Sequence, residues 1–288
     1  MRIHSHHSFA GSINAICSQA AGIFLSPSTP SPRDLSRRSQ AKAEERVGRG
    51  DSFQLHPSVL LILVCCITAG TMRGADSPPK QMKTVKDRVK EYGEQARART
   101  KPFFQKAAVA YPPPKLVLLG LKGERVLQVY ASDETNGYRF VRSYPMLAAS
   151  GGPGPKLREG DRQVPEGIYP IELLNPNSSY HLSLRVDYPN ELDRAQAAKE
   201  GRKNLGGDIM IHGKAASIGC LAMGDEAAED LFVLAAETGL QNIKVVLSPV
   251  DFRTGAVVPK NAKLPDWTDR LYNQIKTEMA ALPVPHAK

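Results

Sequence analysis

Between residues 115 and 247 the chain falls into short apolar runs, each closed within a few residues by Gly, Pro, Asn or Asp. Runs of this length are too short for long helices, and their β-branched and aromatic content suits a sheet with buried faces. The clearest lie at 115–121, 125–131, 139–149, 167–174, 180–188, 208–212 and 243–247. Lys122-Gly123-Glu124 joins the first two as a hairpin turn. Two stretches have helical spacing instead: 225–238, closed by Gly239, where Ala228, Leu231, Phe232 and Ala235 form one stripe, and 265–281. The fold class that follows is mostly β with α elements, an α+β fold.

The flanks of this region read differently. Residues 1–56 hold ten serines, a Ser-Pro-rich run at 26–33 and little apolar periodicity, so they cannot bury enough surface to offset chain entropy and read as disordered. The cluster His4, His6 and His7 lies on this lead, where nothing fixes a metal geometry. Residues 58–70 form a continuous apolar run of thirteen, short of the ~20 that span a bilayer but suited to the core of a signal peptide. Arg46 and Arg49 precede the run, and cleavage after Ala75 would end a segment spanning 57–75. Its distance from Met1 points to translation starting downstream, at a site such as Val47, which would leave the part of the 1–56 lead before that site untranslated. Residues 76–110 read as a basic amphipathic helix carrying Met82, Val85, Val89 and Tyr92 on one face, with a break near Gly93 and an end at Tyr111-Pro112-Pro113-Pro114. The β-rich part is then 111–250, followed by a helix-bearing extension at 251–288.

Charge placement excludes one class of partner. The formal net charge is +9, from 38 Lys and Arg against 29 Asp and Glu, yet residues 111–288 hold 21 of each sign. The surplus therefore lies in the N-terminal third. A nucleic-acid-binding core needs a local excess of cations to neutralise phosphates, and the β-rich part has none. Contact with a membrane is expected only through an uncleaved signal segment, and export implies a periplasmic location.

Removal of the leader would also remove Cys17, Cys65 and Cys66, leaving Cys220 as a lone thiol. No disulfide framework is possible in such a chain, so the thiol invites a chemical reading. The stretch Gly207-Asp208-Ile209-Met210-Ile211-His212-Gly213 alternates as a strand, with Ile209 and Ile211 on one face and Met210 and His212 on the other. Eight residues after His212, Ser217-Ile218-Gly219-Cys220 sets the thiol behind a glycine, where backbone can wrap closely round a substrate carbonyl. A nearby imidazole is the usual means of raising a thiol's thiolate fraction, so His212 and Cys220 together suggest acyl transfer. A buried structural Cys and a strand-end His that is simply hydrogen-bonded remain open on spacing alone. P-loop, paired-cysteine zinc, zincin and serine-hydrolase elbow motifs are not present.

These residues resemble the YkuD-type L,D-transpeptidase family, in which a His-Gly strand end precedes an SHGC segment carrying the nucleophile. Val164-Pro165-Glu166-Gly167-Ile168-Tyr169 is similar to the family's TPxGxF/Y motif. Tyr111-Pro112-Pro113, the stretch 154–161, the stretch 175–183 and Ile218-Gly219-Cys220-Leu221-Ala222-Met223 resemble the YafK-like branch in particular. The resemblance implies a periplasmic enzyme on a YkuD fold acting on peptidoglycan stem peptides. It makes Cys220 the nucleophile and His212 the general base. The backbone N–H groups near Gly219 and Cys220 become candidate oxyanion donors, and Ser217 a partner for the imidazole or the substrate. No metal or organic cofactor is implied. Two departures stand out: the SHGC histidine is Ile218, and the arginine usual two residues after the cysteine is Ala222. Carboxylate binding must then fall to other side chains, and Lys156, Arg158 and His181 are the candidates. Two alternatives accompany murein L,D-transpeptidation: hydrolytic release of a wall-anchored lipoprotein, which would be the further partner, and an inactive wall-binding module.

Overall fold

In strand β1 (Lys115–Leu121), Leu116 and Leu118 enter one hydrophobic cluster while Val117, Leu119 and Leu121 enter another. A strand buried on both faces needs apolar residues at consecutive positions, which is why this segment reads Leu-Val-Leu-Leu. Its four leucines are each at most 1% exposed, a gross burial of roughly 6–12 kcal/mol, comparable to the whole stability of a typical domain. The hairpin partner is β2 (Val126–Ser132), followed by β3 (Arg139–Pro145), β4 (Ala148–Ala149), β5 (Gly167–Asn175), β6 (Ser183–Val186), β7 (Met210–His212), β8 (Leu221–Ala222) and β9 (Ile243–Ser248). The helices are α1 (Val85–Lys106), α2 (Glu191–Lys199), α3 (Asp225–Thr238) and α4 (Thr268–Ala280).

This computed structural model describes residues 81–135, 137–259 and 262–285. The Ser-rich lead, the His4, His6 and His7 cluster and the apolar run at 58–70 lie outside the described residues. Among the described residues no helix is long and apolar enough to cross a membrane.

The strands form one mixed sheet in the order β3-β2-β1-β9-β5-β6-β7-β8-β4. Pairings β1·β9 and β7·β8 are parallel and the rest antiparallel. Strands β3 and β4 stand at opposite ends of this order yet are separated by only Met146 and Leu147. The sheet must therefore curl back on itself. This is also why the single strand expected over 139–149 divides: Met146 N–H donates to Arg125 O (2.8 Å), and Leu147 N–H already donates to Ala222 O (2.8 Å) at the far end.

Helix α4 covers one face with Leu271, Tyr272, Ile275 and Met279, and α1 with α3 covers the other. Helix α1 runs unbroken through Gly93, against the expected break. Gly93, Ala96, Thr100 and Phe104 form its buried stripe, continuing the face begun by Val85 and Val89, and the small residues allow close packing on α3. Met82, expected on that face, precedes the helix and is 71% exposed. Asp230 of α3 is buried because Arg99 (2.7 Å), Arg142 (3.4 Å) and the Tyr144 hydroxyl (3.1 Å) surround its carboxylate.

The strand expected over 180–188 shortens to β6, and 208–212 shortens to β7, since His181 and Asp208 adopt positive φ (75° and 54°) that ends regular extension. Helix α2 was not expected. Its start is a reciprocal capping box, with Asn190 accepting from Asp193 N–H (2.9 Å) and Asp193 accepting from Asn190 N–H (3.0 Å).

Candidate active site

His212 is the last residue of β7, paired with Ser183 on β6 and Ala222 on β8. Cys220 lies on the bend that leads into β8, one residue before Leu221, whose strand partner is Ile211. Ile209 and Ile211 turn the other way into the core, at 2% and 0% exposure. Met210, His212, Ser217, Gly219 and Cys220 line a single cavity of about 740 Å³. Its wall is completed by the loop around Lys156 to Arg162 and by the Asn175–Tyr180 turn.

The turn after β7 requires glycine. A Cβ on Gly213 would stand 2.5 Å from Asp225 Oδ1 and 2.8 Å from Tyr180 O. That same Asp225 oxygen accepts from Lys214 N–H (2.7 Å), tying the strand end to the start of α3. His212 Nδ1 lies 2.6 Å from Gly213 O. A carbonyl can only accept, so Nδ1 carries the proton and Nε2 keeps its lone pair, the arrangement a base needs. The Tyr180 ring packs on the imidazole at 4.7 Å between centroids. Burial holds the His212 pKa below its ordinary value, partly offset by the Gly213 carbonyl.

Cys220 sits on a turn wound about one hydroxyl. Ser217 Oγ accepts from Gly219 N–H (3.3 Å) and Cys220 N–H (3.1 Å) and donates to Cys220 O (2.6 Å). Gly219 has φ +131°, which side-chain-bearing residues rarely adopt. Ser217 thus holds the nucleophile's backbone and contacts Ser150 Oγ (3.3 Å), not the imidazole. The two N–H groups expected to stabilise an oxyanion are occupied by that hydroxyl in this state. Cys220 Sγ donates to Asp208 O at 3.5 Å, and among the described residues no hydrogen bond links it to the His212 ring. Burial raises the thiol pKa, opposed by a Met210 backbone hydrogen bond, reinforced by the Asp208 charge and opposed more weakly by Lys156. Both shifts favour the neutral forms. The pair rests as thiol and imidazole rather than as an ion pair, and attack must be coupled to proton transfer.

The three expected carboxylate binders separate. Lys156 lines the cavity, but its ammonium is buried and committed to Asp161 Oδ1 (2.6 Å) and Arg158 O (2.8 Å). Arg158 is exposed and is not among the lining residues. His181 also lies outside the lining, with Nε2 on Glu229 Oε1 (3.0 Å) and its ring edge-on to Tyr92 (5.2 Å). Its positive φ turns it out of the alternation that a regular strand would impose. Sequence reasoning missed Arg162, Glu159 and Asp208, which do line the cavity. Ile218 lines it too and is 75% exposed. Among the described residues no group of three His, Cys, Asp or Glu side chains is placed to hold a metal.

The YkuD family, the L,D-transpeptidase catalytic domain, matches residues 115–249, a span from β1 to just past β9 that contains every cavity residue named above. Residues 115–249 thus match the YkuD domain. YafK of Escherichia coli K12, whose curated name gives L,D-transpeptidase only provisionally, is 34% identical over 160 residues, covering 54% of this chain. The O157:H7 protein of the same name matches equally. The chain spans 61% of the length of these relatives. Among solved structures, the helical cell shape determining protein Pgp2 of Campylobacter jejuni is similar at 22% identity and TM-score 0.40, covering 51% of this chain and 50% of that one. L,D-transpeptidase 1 of Mycobacterium tuberculosis is similar at 15% identity and TM-score 0.27, covering 46% and 62%.

Proposed function

We propose that this YkuD domain is a cysteine acyltransferase acting on peptidoglycan stem peptides, in an exported chain whose apolar run at 58–70 directs it to the periplasm. The observation that carries the reading is that Cys220 and His212 line one cavity, with the imidazole tautomer set by Gly213 O. His212 Nε2 takes the thiol proton as Sγ attacks the carbonyl of the diamino acid in a tetrapeptide stem. The tetrahedral oxyanion collapses to a thioester, the amide C–N bond breaks, and the imidazolium returns the proton to the departing D-alanine amine. An amine of a second stem then attacks the thioester, loses a proton to His212 and restores the thiol. Thiol, imidazole and backbone donors suffice for each step. Oxyanion stabilisation by Gly219 and Cys220 N–H requires Ser217 Oγ to yield its two hydrogen bonds, which are worth about 1 kcal/mol each.

Incubating the protein with tetrapeptide muropeptides and, separately, with lipoprotein-linked muropeptides tests this. Crosslinked dimers with free D-alanine are expected. Lipoprotein release without dimers would replace transfer by hydrolysis, and no change in either substrate would leave only a wall-binding module.

A further inference from the structure

We infer that Arg162 is the specificity-determining cation of this cavity and binds a free carboxylate of the stem peptide. The inference rests on the function proposed above. Among the described residues Lys156 and Arg162 are the Lys and Arg side chains that line the cavity, and Lys156 is spent on Asp161 and Arg158 O. Arg162 is exposed and makes no hydrogen bond or ion pair among the described residues, so its guanidinium has a full fork of donors to offer.

Its backbone is held as if for that purpose. Asp161, one residue before, accepts from Leu157 N–H (2.9 Å), Arg158 N–H (3.0 Å) and Gln163 N–H (3.1 Å). Gln163, one residue after, donates to Gly152 O (2.6 Å). Between these anchors Arg162 adopts φ +55°, a left-handed conformation that costs a non-glycine residue energy and persists only where neighbours impose it. The anions lining the same cavity are already engaged: Glu159 accepts from Asn204 Nδ2 (2.6 Å) and Asp208 faces Arg185 (3.3 Å). An incoming carboxylate therefore finds one unpaired guanidinium, in a cavity where Asp208 is ion-paired and Glu159 is held by an amide.

The test compares wild type, Arg162→Ala and Arg162→Lys on three synthetic tetrapeptide stems: with both carboxylates free, with the terminal D-alanine amidated, and with the diamino acid's own carboxylate amidated. D-alanine or D-alaninamide release is measured, and iodoacetamide alkylation of Cys220 checks that the cavity is intact. On the free-acid stem, Arg162→Ala is expected to raise KM about ten- to a hundredfold with kcat changed little, and Arg162→Lys to recover part of the loss. Amidation of the recognised carboxylate is expected to raise the wild-type KM similarly and to leave the Arg162→Ala KM unmoved, which identifies the carboxylate. An unchanged KM for Arg162→Ala, or an equal loss on all three stems, overturns the inference while the acyltransfer reading stands. No release by wild type from any stem overturns both.

Discussion

The buried pair Lys122 and Glu166 ties the end of β1 to the loop that forms one wall of the cavity, and its removal gives a measurable magnitude. Lys122 Nζ donates to Glu166 Oε1 (2.9 Å), Val164 O (2.9 Å) and Gly154 O (3.1 Å), and the two side chains are 7% and 0% exposed. Glu166 also accepts from Gly154 N–H (2.8 Å) and the Tyr272 hydroxyl (2.8 Å). Burial depresses the Lys122 pKa, and the Glu166 charge and hydrogen bond oppose that shift. Lys122→Met leaves a buried carboxylate without its countercharge, which typically costs 3–5 kcal/mol, and strips Val164 O of its hydrogen bond. For a folded unit of this size that corresponds to a fall in Tm of roughly 6–20 °C. Lys122→Met combined with Glu166→Gln removes the stranded charge and retains an acceptor for Tyr272. The double variant is expected to be more stable than the sum of the singles implies, by about 2 kcal/mol. Thermal denaturation followed by circular dichroism at constant pH measures all four proteins of the cycle. A loss under about 1 kcal/mol for the single variant, or strict additivity, would refute the reasoning.

Three further outcomes are expected. Because burial raises the Cys220 pKa and lowers that of His212, iodoacetamide alkylation should climb with pH and reach its midpoint above the ordinary thiol value; a plateau already present near pH 6 would mean a resting ion pair instead. Gly213→Ala, which forces a Cβ onto Asp225 and Tyr180, and Gly219→Ala, which has 3.7 Å of room but a forbidden φ, should each cost about 1–3 kcal/mol and slow alkylation, and wild-type rates in either would contradict the geometry. Asp193, raised to about 6 by burial, favours its protonated form in the fold, so its stabilising contribution is full below its unfolded pKa and is lost as pH rises through 6. The stability difference between wild type and Asp193→Asn should accordingly shrink by up to about 3 kcal/mol from pH 4 to pH 7, and a constant difference in urea titrations would contradict the shift.

What could be read from residues alone follows how local each signal is. Strands β1 and β9 were legible because both faces are buried and their apolar runs are interrupted only by Gly120 and Lys244. His212 and Cys220 were legible because a short alternating strand, two glycines and a resemblance all bear on the same dozen residues. Arg162 was not, since nothing in its neighbours shows that Asp161 would consume Lys156 and leave the next cation free. His181 falls outside the cavity lining because its left-handed backbone ends the strand expected over 180–188. Helix α2 is short and partly polar, and its Asn190 to Asp193 box was its main signal. The curl of the sheet is a long-range matter: Ala148 pairs with Ala222, seventy-four residues away.

Cys220 as the acyl-accepting nucleophile is tested most directly by intact-mass spectrometry of protein quenched during incubation with a tetrapeptide stem. The expected spectrum shows an adduct equal to the stem minus D-alanine, mapped to Cys220 and missing from Cys220→Ala. Release of D-alanine by Cys220→Ala at the wild-type rate would contradict it.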